Sequence, residues 1–170
     1  KLDESAFEND GATAINLYAV AQRVAGRLSS FADDQGVRVR VEGASACIAG
    51  SETLAEEMLY NLIENGIRYN HEGGLVTMKV GSECVEGGLA NAAYQTVVRV
   101  SDTGPGIPAE LHDKVFERFF RVDKSRSKET GGTGLGLAIV KHAVMYHGGV
   151  IEVESAEGQG TTFVLRFPSA

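Results

Sequence analysis

The chain has 170 residues, 43% of them hydrophobic, which suits one domain with a substantial core and is short for two ordinary domains. Its formal net charge of −7 disfavours a nucleic-acid partner, because nonspecific binding to a phosphate backbone needs broad positive potential. No apolar run reaches the roughly 20 residues that cross a bilayer, and no signal peptide is visible.

The first part of the chain predicts a lead-in, a helix and a strand. Residues 1–14 lack periodicity and are interpreted as a lead-in to the domain. Apolar residues recur at helical spacing over 15–35, and this helix is expected to end near Gly36. Residues 37–43 alternate apolar and basic side chains, as a half-buried strand does. Ser51 is then expected to cap a second helix.

The rest of the chain predicts four more strands and a third helix. Residues 75–80 and 94–102 predict an antiparallel pair of strands. A helix is expected to open at the glycine-rich stretch 131–136, followed by strands at 150–155 and 161–167. Helices and strands mix without strict alternation, which indicates an α+β two-layer sandwich with helices on one face of a mixed sheet.

Three polar residues fall along one edge of the second predicted helix: Asn61, Asn65 and Arg68. Asparagine is a mediocre helix former, so two of them at this spacing invite an explanation. Amide oxygens are neutral ligands suited to Mg²⁺ that already carries phosphate charge, and a guanidinium group can bind phosphate oxygens. Taken singly, these residues have simpler explanations, namely a solvated helix edge and an ion pair between Arg68 and Glu64.

Two glycine-rich stretches indicate a site for a phosphate and for a flat ligand. GGTGLG (131–136) opens a helix whose free N–H groups and positive dipole end favour an anion. No strand ends directly before it, so it is not a dinucleotide fingerprint, and a flexible loop is the alternative. DTGPG (102–106) begins with Asp102, which could accept a hydrogen bond from an exocyclic amine or simply form a turn.

Five short motifs occur along the chain in the order NLIENGIRYN, DTGPGIP, FERFFRVD, GGTGLGLAIVK and GQGTTF. In this order they resemble the N, G1, F, G2 and G3 boxes of sensor histidine kinases, with similarity from about Asn16 to Phe167. The resemblance implies the C-terminal catalytic and ATP-binding domain of such a kinase at 15–170, with 1–14 leading in from a dimerisation domain. The implied fold is a mixed five-stranded sheet covered on one face by three helices, with a mobile ATP lid.

The resemblance also implies a site for ATP and Mg²⁺. Asn65 would coordinate Mg²⁺ with support from Asn61, and Arg121 would join these two in catalysis. Asp102 would accept the adenine amino group, and Arg121 and Arg126 of the lid would contact phosphate. The implied nucleotide-binding residues are Asn61, Asn65, Arg68, Tyr69, Asp102, Gly104, Gly106, Ile107, Arg121, Arg126, Gly132, Thr133, Gly134, Leu135, Gly136 and Thr161.

The implied activity is transfer of the γ-phosphoryl group of ATP to a histidine on an adjoining dimerisation domain absent from this chain, for relay to a response regulator. Neither His71 nor His112, each followed by an acidic residue, is expected to be that phosphoacceptor. The isolated domain is expected to be monomeric and the full protein homodimeric. The domain is expected in the cytoplasm, with membrane anchoring of the full protein left open.

Three different functions share the fold or the pocket. Water-using ATPases of this fold carry a glutamate one helical turn before the metal-binding asparagine, where this chain has Asn61. An amide cannot act as a general base at neutral pH, which favours kinase over ATPase chemistry. The second function is that of a serine kinase of the same fold, and the third is that of a nucleotide-binding scaffold that transfers no phosphate. The chain departs from the usual pattern with Arg68 for lysine, Gly66 for alanine and Ser51 for aspartate, and none of these removes a proposed ligand.

Overall fold

The structure, a computed structural model, describes residues 13–85, 94–120 and 135–170. Within these ranges the strands are β1 (Ala14–Asn16), β2 (Arg38–Gly43), β3 (Cys47–Ala49), β4 (Leu75–Cys84), β5 (Tyr94–Asp102), β6 (Val150–Ser155) and β7 (Thr161–Pro168). The α-helices are α1 (Leu17–Arg27), α2 (Ser29–Gln35), α3 (Glu52–Arg68) and α4 (Gly136–Tyr146), and a short 3₁₀ helix covers Ala109–Leu111.

The main sheet has five strands in the order β2-β4-β5-β7-β6. Strand β2 runs parallel to β4, and the other neighbours are antiparallel, so the sheet is mixed. The helices supply the apolar side chains that bury one face of this sheet, while β2 and β6 alternate exposed and half-buried residues. The predicted α+β sandwich on a mixed five-stranded sheet is confirmed.

Capping side chains set the starts of two helices. The Asn16 side chain accepts hydrogen bonds from the backbone N–H groups of Tyr18 and Ala19 at the start of α1. Ser51 accepts from Leu54 N–H over 3.3 Å at the start of α3, as predicted. Among the described residues, no helix is long and apolar enough to cross a membrane.

The predicted helix over 15–35 is wrong in its continuity. Ile15 lies in β1, and the helical chain is divided at Leu28 (φ −97°, ψ 3°) into α1 and α2. The Ser29 hydroxyl donates to the Gly26 carbonyl over 2.9 Å, a local bond that competes with regular helix geometry. Gly36, at φ 68°, ends α2 as expected.

A second, two-stranded sheet was not expected from the sequence. Strands β1 and β3 pair antiparallel, with Ala14 opposite Ala49 and Asn16 opposite Cys47. Each of these strands has three residues, which is too short to display a readable alternation of apolar and polar side chains. The pairing ties the start of the described chain to the segment before α3.

Candidate functional site

Asp102 ends β5 at a point where two loops and the end of α3 meet. Its Oδ1 accepts a hydrogen bond from Gly104 N–H over 2.8 Å, and Thr161 N–H also faces the carboxylate. Burial raises the pKa of Asp102, and the N–H groups of Gly104 and Thr161 lower it, with a net rise above the ordinary value of 3.8. The carboxylate is partly shielded from solvent and accepts two backbone hydrogen bonds, which leaves acceptor capacity for a ligand.

Four residues stand side by side across the sheet at this end. In the strand registers Val76 is opposite Asp102, Asp102 is opposite Thr161, and Thr161 is opposite Ser155. Directly opposed residues project to the same face of a sheet, here the face under the helices. The motifs at 102–107 and 158–161 are thus brought together, as their predicted common ligand requires.

Glycine at position 160 permits the close approach of these two loops. Gly160 has φ +77°, and a Cβ built on it would overlap the Asp102 carbonyl oxygen. Gly106 has φ +76°, and a Cβ there would overlap the Ala156 carbonyl oxygen. The predicted residue Ile107 follows and is 8% exposed, so it forms part of the floor of this region.

The asparagine pair on α3 faces the start of α4. Asn61 Nδ2 donates to the Glu57 carbonyl over 2.7 Å, and a Cβ placed on Gly136 would stand 3.2 Å from Asn61 Oδ1. Asn65, one turn later, is half-buried, and within the described parts of the chain no side-chain hydrogen bond of its amide is found. Tyr69 caps the C-terminus of α3 through its N–H, which donates to the Asn65 carbonyl over 3.2 Å.

Helix α4 begins beside Asn61, and its N-cap side chain makes no hydrogen bond to the helix. Its N-cap is Leu135, whose apolar side chain cannot accept from the first N–H groups, and its first turn contains no acidic residue. The first N–H groups of a helix have no partner inside the helix and carry the positive end of its dipole. Beside Asn61, this end of α4 has the properties of a phosphate site.

Arg68 forms an ion pair with Glu64 on the same helix. Its Nη2 lies 3.0 Å from Glu64 Oε1, and its guanidinium carbon lies 5.1 Å from the centre of the Phe31 ring on α2. This is the ion pair that was the simpler explanation of the sequence, with a cation–π contact added. This pair uses Nη2, and the predicted phosphate contact of Arg68 stays a prediction.

Part of the predicted site lies outside the described residues: Arg121, Arg126, Gly132, Thr133 and Gly134. A separate groove of about 670 Å³ lies between α4, β6 and the chain around His112, and is lined by residues such as Lys141, Met145 and Ile151. It shares no residue with the cluster around Asp102. Its lining mixes apolar groups with charges of both signs, so its size alone does not assign chemistry to it.

Ser155 is a member of the site that the sequence did not point to. Its hydroxyl accepts from Ile107 N–H over 2.7 Å and lies 2.9 Å from Thr161 Oγ1. Ser155 ends β6, with two residues between it and the GQG turn, and the strand register places it opposite Thr161. A single serine in a strand carries no signal of this kind until the register is known.

Two glycine loops meet at Asp102, and Asn61 on α3 lies against the start of α4, within an α+β domain. Residues 50–170 match the family described as histidine kinase-, DNA gyrase B-, and HSP90-like ATPase, and the chain belongs to this family. Membership of this family implies that the domain binds ATP.

The relatives carry the names of sensor kinases. The chain is 37% identical over 158 residues to sensor-like histidine kinase SenX3 of Mycobacterium bovis, covering 92% of this chain and 36% of that protein. It is 41% identical over 151 residues to sensor protein IrlS of Burkholderia pseudomallei, covering 89% of this chain and 30% of that protein. The chain thus spans about a third of the length of these relatives.

Solved structures show the same fold. A mycobacterial sensor histidine kinase, MprB, matches with a TM-score of 0.75 and 27% identity, covering 92% of this chain and 97% of that chain. The catalytic domain of histidine kinase ThkA matches with a TM-score of 0.74 and 26% identity, covering 92% and 94% of the two chains. The fold is that of histidine-kinase catalytic domains.

Proposed function

We propose that this domain binds ATP with Mg²⁺ and transfers the γ-phosphoryl group to a histidine on an adjoining helical dimerisation domain, for relay to a response regulator. The observation that carries the proposal is the position of Asn61, one turn before Asn65 and against the start of α4. Hydrolysis would need a proton acceptor for water at that position, and an amide is not one. The names of the relatives support the same conclusion.

The adenine end of the ATP site would be formed around Asp102. The ionised carboxylate accepts a hydrogen bond from the exocyclic amino group of adenine, while Gly104 and Gly106 let the base lie against the backbone. Ile107 and Thr161 close this end from either side. A guanine base would place a carbonyl oxygen against the carboxylate, and such a mismatch costs on the order of 1–3 kcal/mol.

The phosphate end would lie between α3 and α4. Asn65 would hold Mg²⁺ through its amide oxygen, since its half-buried amide has no partner among the described residues and neutral oxygen ligands suit this ion. Bound Mg²⁺ would neutralise charge on the phosphates during transfer. Leu135 and Gly136 would lie against the phosphates, and N–H groups of the first turn of α4 would bind phosphate oxygens. Tyr69 would line the nucleotide.

The remaining contacts rest on the motifs of the sequence rather than on observed geometry. Arg121 and Arg126 would contact the phosphates, with Arg121 also acting in catalysis. Arg68 would join them through guanidinium N–H groups other than the one that binds Glu64. Gly132, Thr133 and Gly134 would complete the phosphate loop. Catalysis would consist of positioning and charge neutralisation, because phosphoryl transfer offers the protein little covalent chemistry.

The histidines of the described chain do not act as phosphoacceptors in this proposal. His71 Nε2 lies 3.0 Å from the Thr103 carbonyl and Nδ1 lies 3.1 Å from the Glu72 carbonyl, in the turn after α3. His112 Nε2 lies 3.0 Å from the Ile107 carbonyl. The acceptor would belong to a preceding dimerisation domain, from which residues 1–14 would lead in. The full protein would be a homodimer, anchored in the membrane or not.

The decisive experiment measures binding and transfer separately. Calorimetry with a non-hydrolysable ATP analogue should show Mg²⁺-dependent binding to the 170-residue chain, which Asn65→Ala abolishes while the fold survives. Gln22→Ala, an exposed amide on α1, is the matched control and should bind as the parent does. With labelled ATP the chain alone should stay unlabelled and should phosphorylate an added histidine-containing helical hairpin from the same kinase. Labelling of the chain itself, or rapid phosphate release without the hairpin, would refute the proposal.

A further inference from the structure

The hydroxyl group of Ser155 uses all of its hydrogen-bonding capacity. It accepts from Ile107 N–H over 2.7 Å and donates to the Gly160 carbonyl over 2.8 Å. A hydroxyl has one hydrogen, so the third contact, 2.9 Å to Thr161 Oγ1, must be donated by Thr161. The Ser155 hydroxyl therefore connects the loop that contains Ile107 to the turn that contains Gly160 and Thr161.

These three groups surround the proposed adenine site. Ile107 follows β5 in the loop that begins at Asp102, while Gly160 and Thr161 follow the turn between β6 and β7. Thr161 is 6% exposed, and its backbone N–H faces the Asp102 carboxylate. Movement of Thr161 would therefore alter the orientation and hydrogen bonding of Asp102.

We propose that Ser155 is a positioning residue for adenine recognition, acting through Thr161 and Ile107 rather than by touching the nucleotide. Its hydroxyl keeps the loops at 102–107 and 158–161 at the spacing that the base needs. The inference rests on the proposed function, since it assumes that Asp102 binds adenine. It adds to the site a residue on β6, a strand that supplies none of the proposed ligands.

The test compares two serine–threonine pairs in the same sheet. Ser155→Ala should weaken binding of a non-hydrolysable ATP analogue about five- to tenfold and reduce the preference for adenine over guanine nucleotides, because three half-buried hydrogen bonds are lost with the hydroxyl. Ser155→Thr retains the hydroxyl and should restore most of the affinity. Ser101→Ala is the matched control: the Ser101 hydroxyl lies 2.8 Å from Thr162 Oγ1, one row away and on the opposite face.

A structural role alone would give a different pattern. Both alanine variants should lose a similar increment in melting temperature, whereas only Ser155→Ala should lose affinity and base selectivity. Unchanged affinity in Ser155→Ala, or an equal loss in Ser101→Ala, overturns the inference. If Ser155→Ala does not fold, Ser155→Cys carries the same expectation, because a thiol fills the position but is a weak donor. Absence of ATP binding by the parent chain would instead refute the proposed function, and the inference with it.

Discussion

The imidazole ring of His147, at the end of α4, accepts a hydrogen bond through Nε2 from the backbone N–H of Ser51, at the start of α3, over 3.1 Å. Its Nδ1 lies 2.6 Å from the Ala143 carbonyl, so the ring must carry its proton on Nδ1. His147 is 8% exposed, and its ring meets that of Phe167 edge to face with centroids 6.2 Å apart. One histidine ring thus connects the start of α3 to the end of α4, the two helices that border the proposed phosphate site.

Replacing His147 should destabilise the domain. His147→Ala leaves the Ser51 N–H without its acceptor and removes buried ring contacts, so we expect a loss of about 2–4 kcal/mol in the free energy of unfolding. Urea denaturation followed by circular dichroism measures this loss. His142→Ala, at an exposed position of the same helix, should change stability by less than about 0.5 kcal/mol. Equal losses of stability in the two variants would show that the contact between His147 and Ser51 does not stabilise the domain.

Gly66 gives a stability prediction with a built-in control. A Cβ built on it would lie 3.1 and 3.2 Å from the two methyl groups of buried Val76 and 3.6 Å from Asp102 Cβ. Gly66→Ala should therefore lose stability, because overpacking costs about 1–3 kcal/mol while helix propensity returns about 1 kcal/mol. Gly26→Ala, in α1 with nothing within 4 Å, should gain about 0.5–1 kcal/mol. Thermal unfolding of both variants measures these changes in stability. A gain in stability for Gly66→Ala would contradict the prediction and show that the Val76 side chain can move to make room for the methyl group.

The raised pKa of Asp102 should make the stability of the domain depend on pH. Burial raises its pKa in the folded state, so the folded chain binds more protons than the unfolded chain above pH 3.8. This group's contribution to stability therefore falls as pH rises from 3.8 through the folded-state pKa. Relative to the parent, Asp102→Asn should become more stable as pH rises over that interval and then stay level. Denaturant titrations of both chains at a series of pH values give this difference; a slope of the other sign contradicts the burial argument.

Glu83 should show the opposite slope. A hydrogen bond from Arg99 lowers its pKa below 4.5, with help from Arg166, so its contribution to stability is present above that pH and lost as pH falls. Its side chain is 38% exposed, and pairs of this kind contribute up to about 1 kcal/mol. Glu83→Gln should therefore be less stable than the parent at neutral pH and equal to it in acid. Denaturant titrations of Glu83→Gln and the parent over the same pH series measure this difference in stability. Added salt should reduce it, because the ion pairs are partly exposed.

Nucleotide choice should depend on the ionised form of Asp102. The parent chain should bind ADP more tightly than GDP, and Asp102→Asn should narrow this preference at least about fivefold, since an amide can donate to a guanine carbonyl. ADP affinity of the parent should also fall on acidification, beginning above pH 3.8 because the pKa is raised. Calorimetric titrations with both nucleotides provide the values. An unchanged preference for ADP over GDP in Asp102→Asn would show that Asp102 does not recognise adenine.

Local pattern predicted the elements of the main sheet, and this sheet brings the glycine motifs at 102–107 and 158–161 into the same region. The strand alternation in 37–43, the cap at Ser51 and the glycine motifs act within a few residues, and their periods and turn chemistry are visible in the sequence. The continuity of the helix over 15–35 was wrong because a single break at Leu28 leaves the apolar spacing on both sides intact. The short strands β1 and β3 escaped notice because neither can be recognised without its partner.

The fold class, the order of the motifs and the types of residue available for ATP, including an amide at Asn61, follow from the sequence alone. The folded chain adds that Arg68 pairs with Glu64 and that Ser155 is connected to Asp102 through Thr161. It also adds that His147 accepts a hydrogen bond from the backbone N–H of Ser51, 96 residues earlier. The difference arises because secondary structure follows from local periodicity, whereas these contacts depend on strand register and on how helices pack over the sheet. A shift of one residue in that register would move Asp102, Thr161 and Ser155 to the other face and destroy the site.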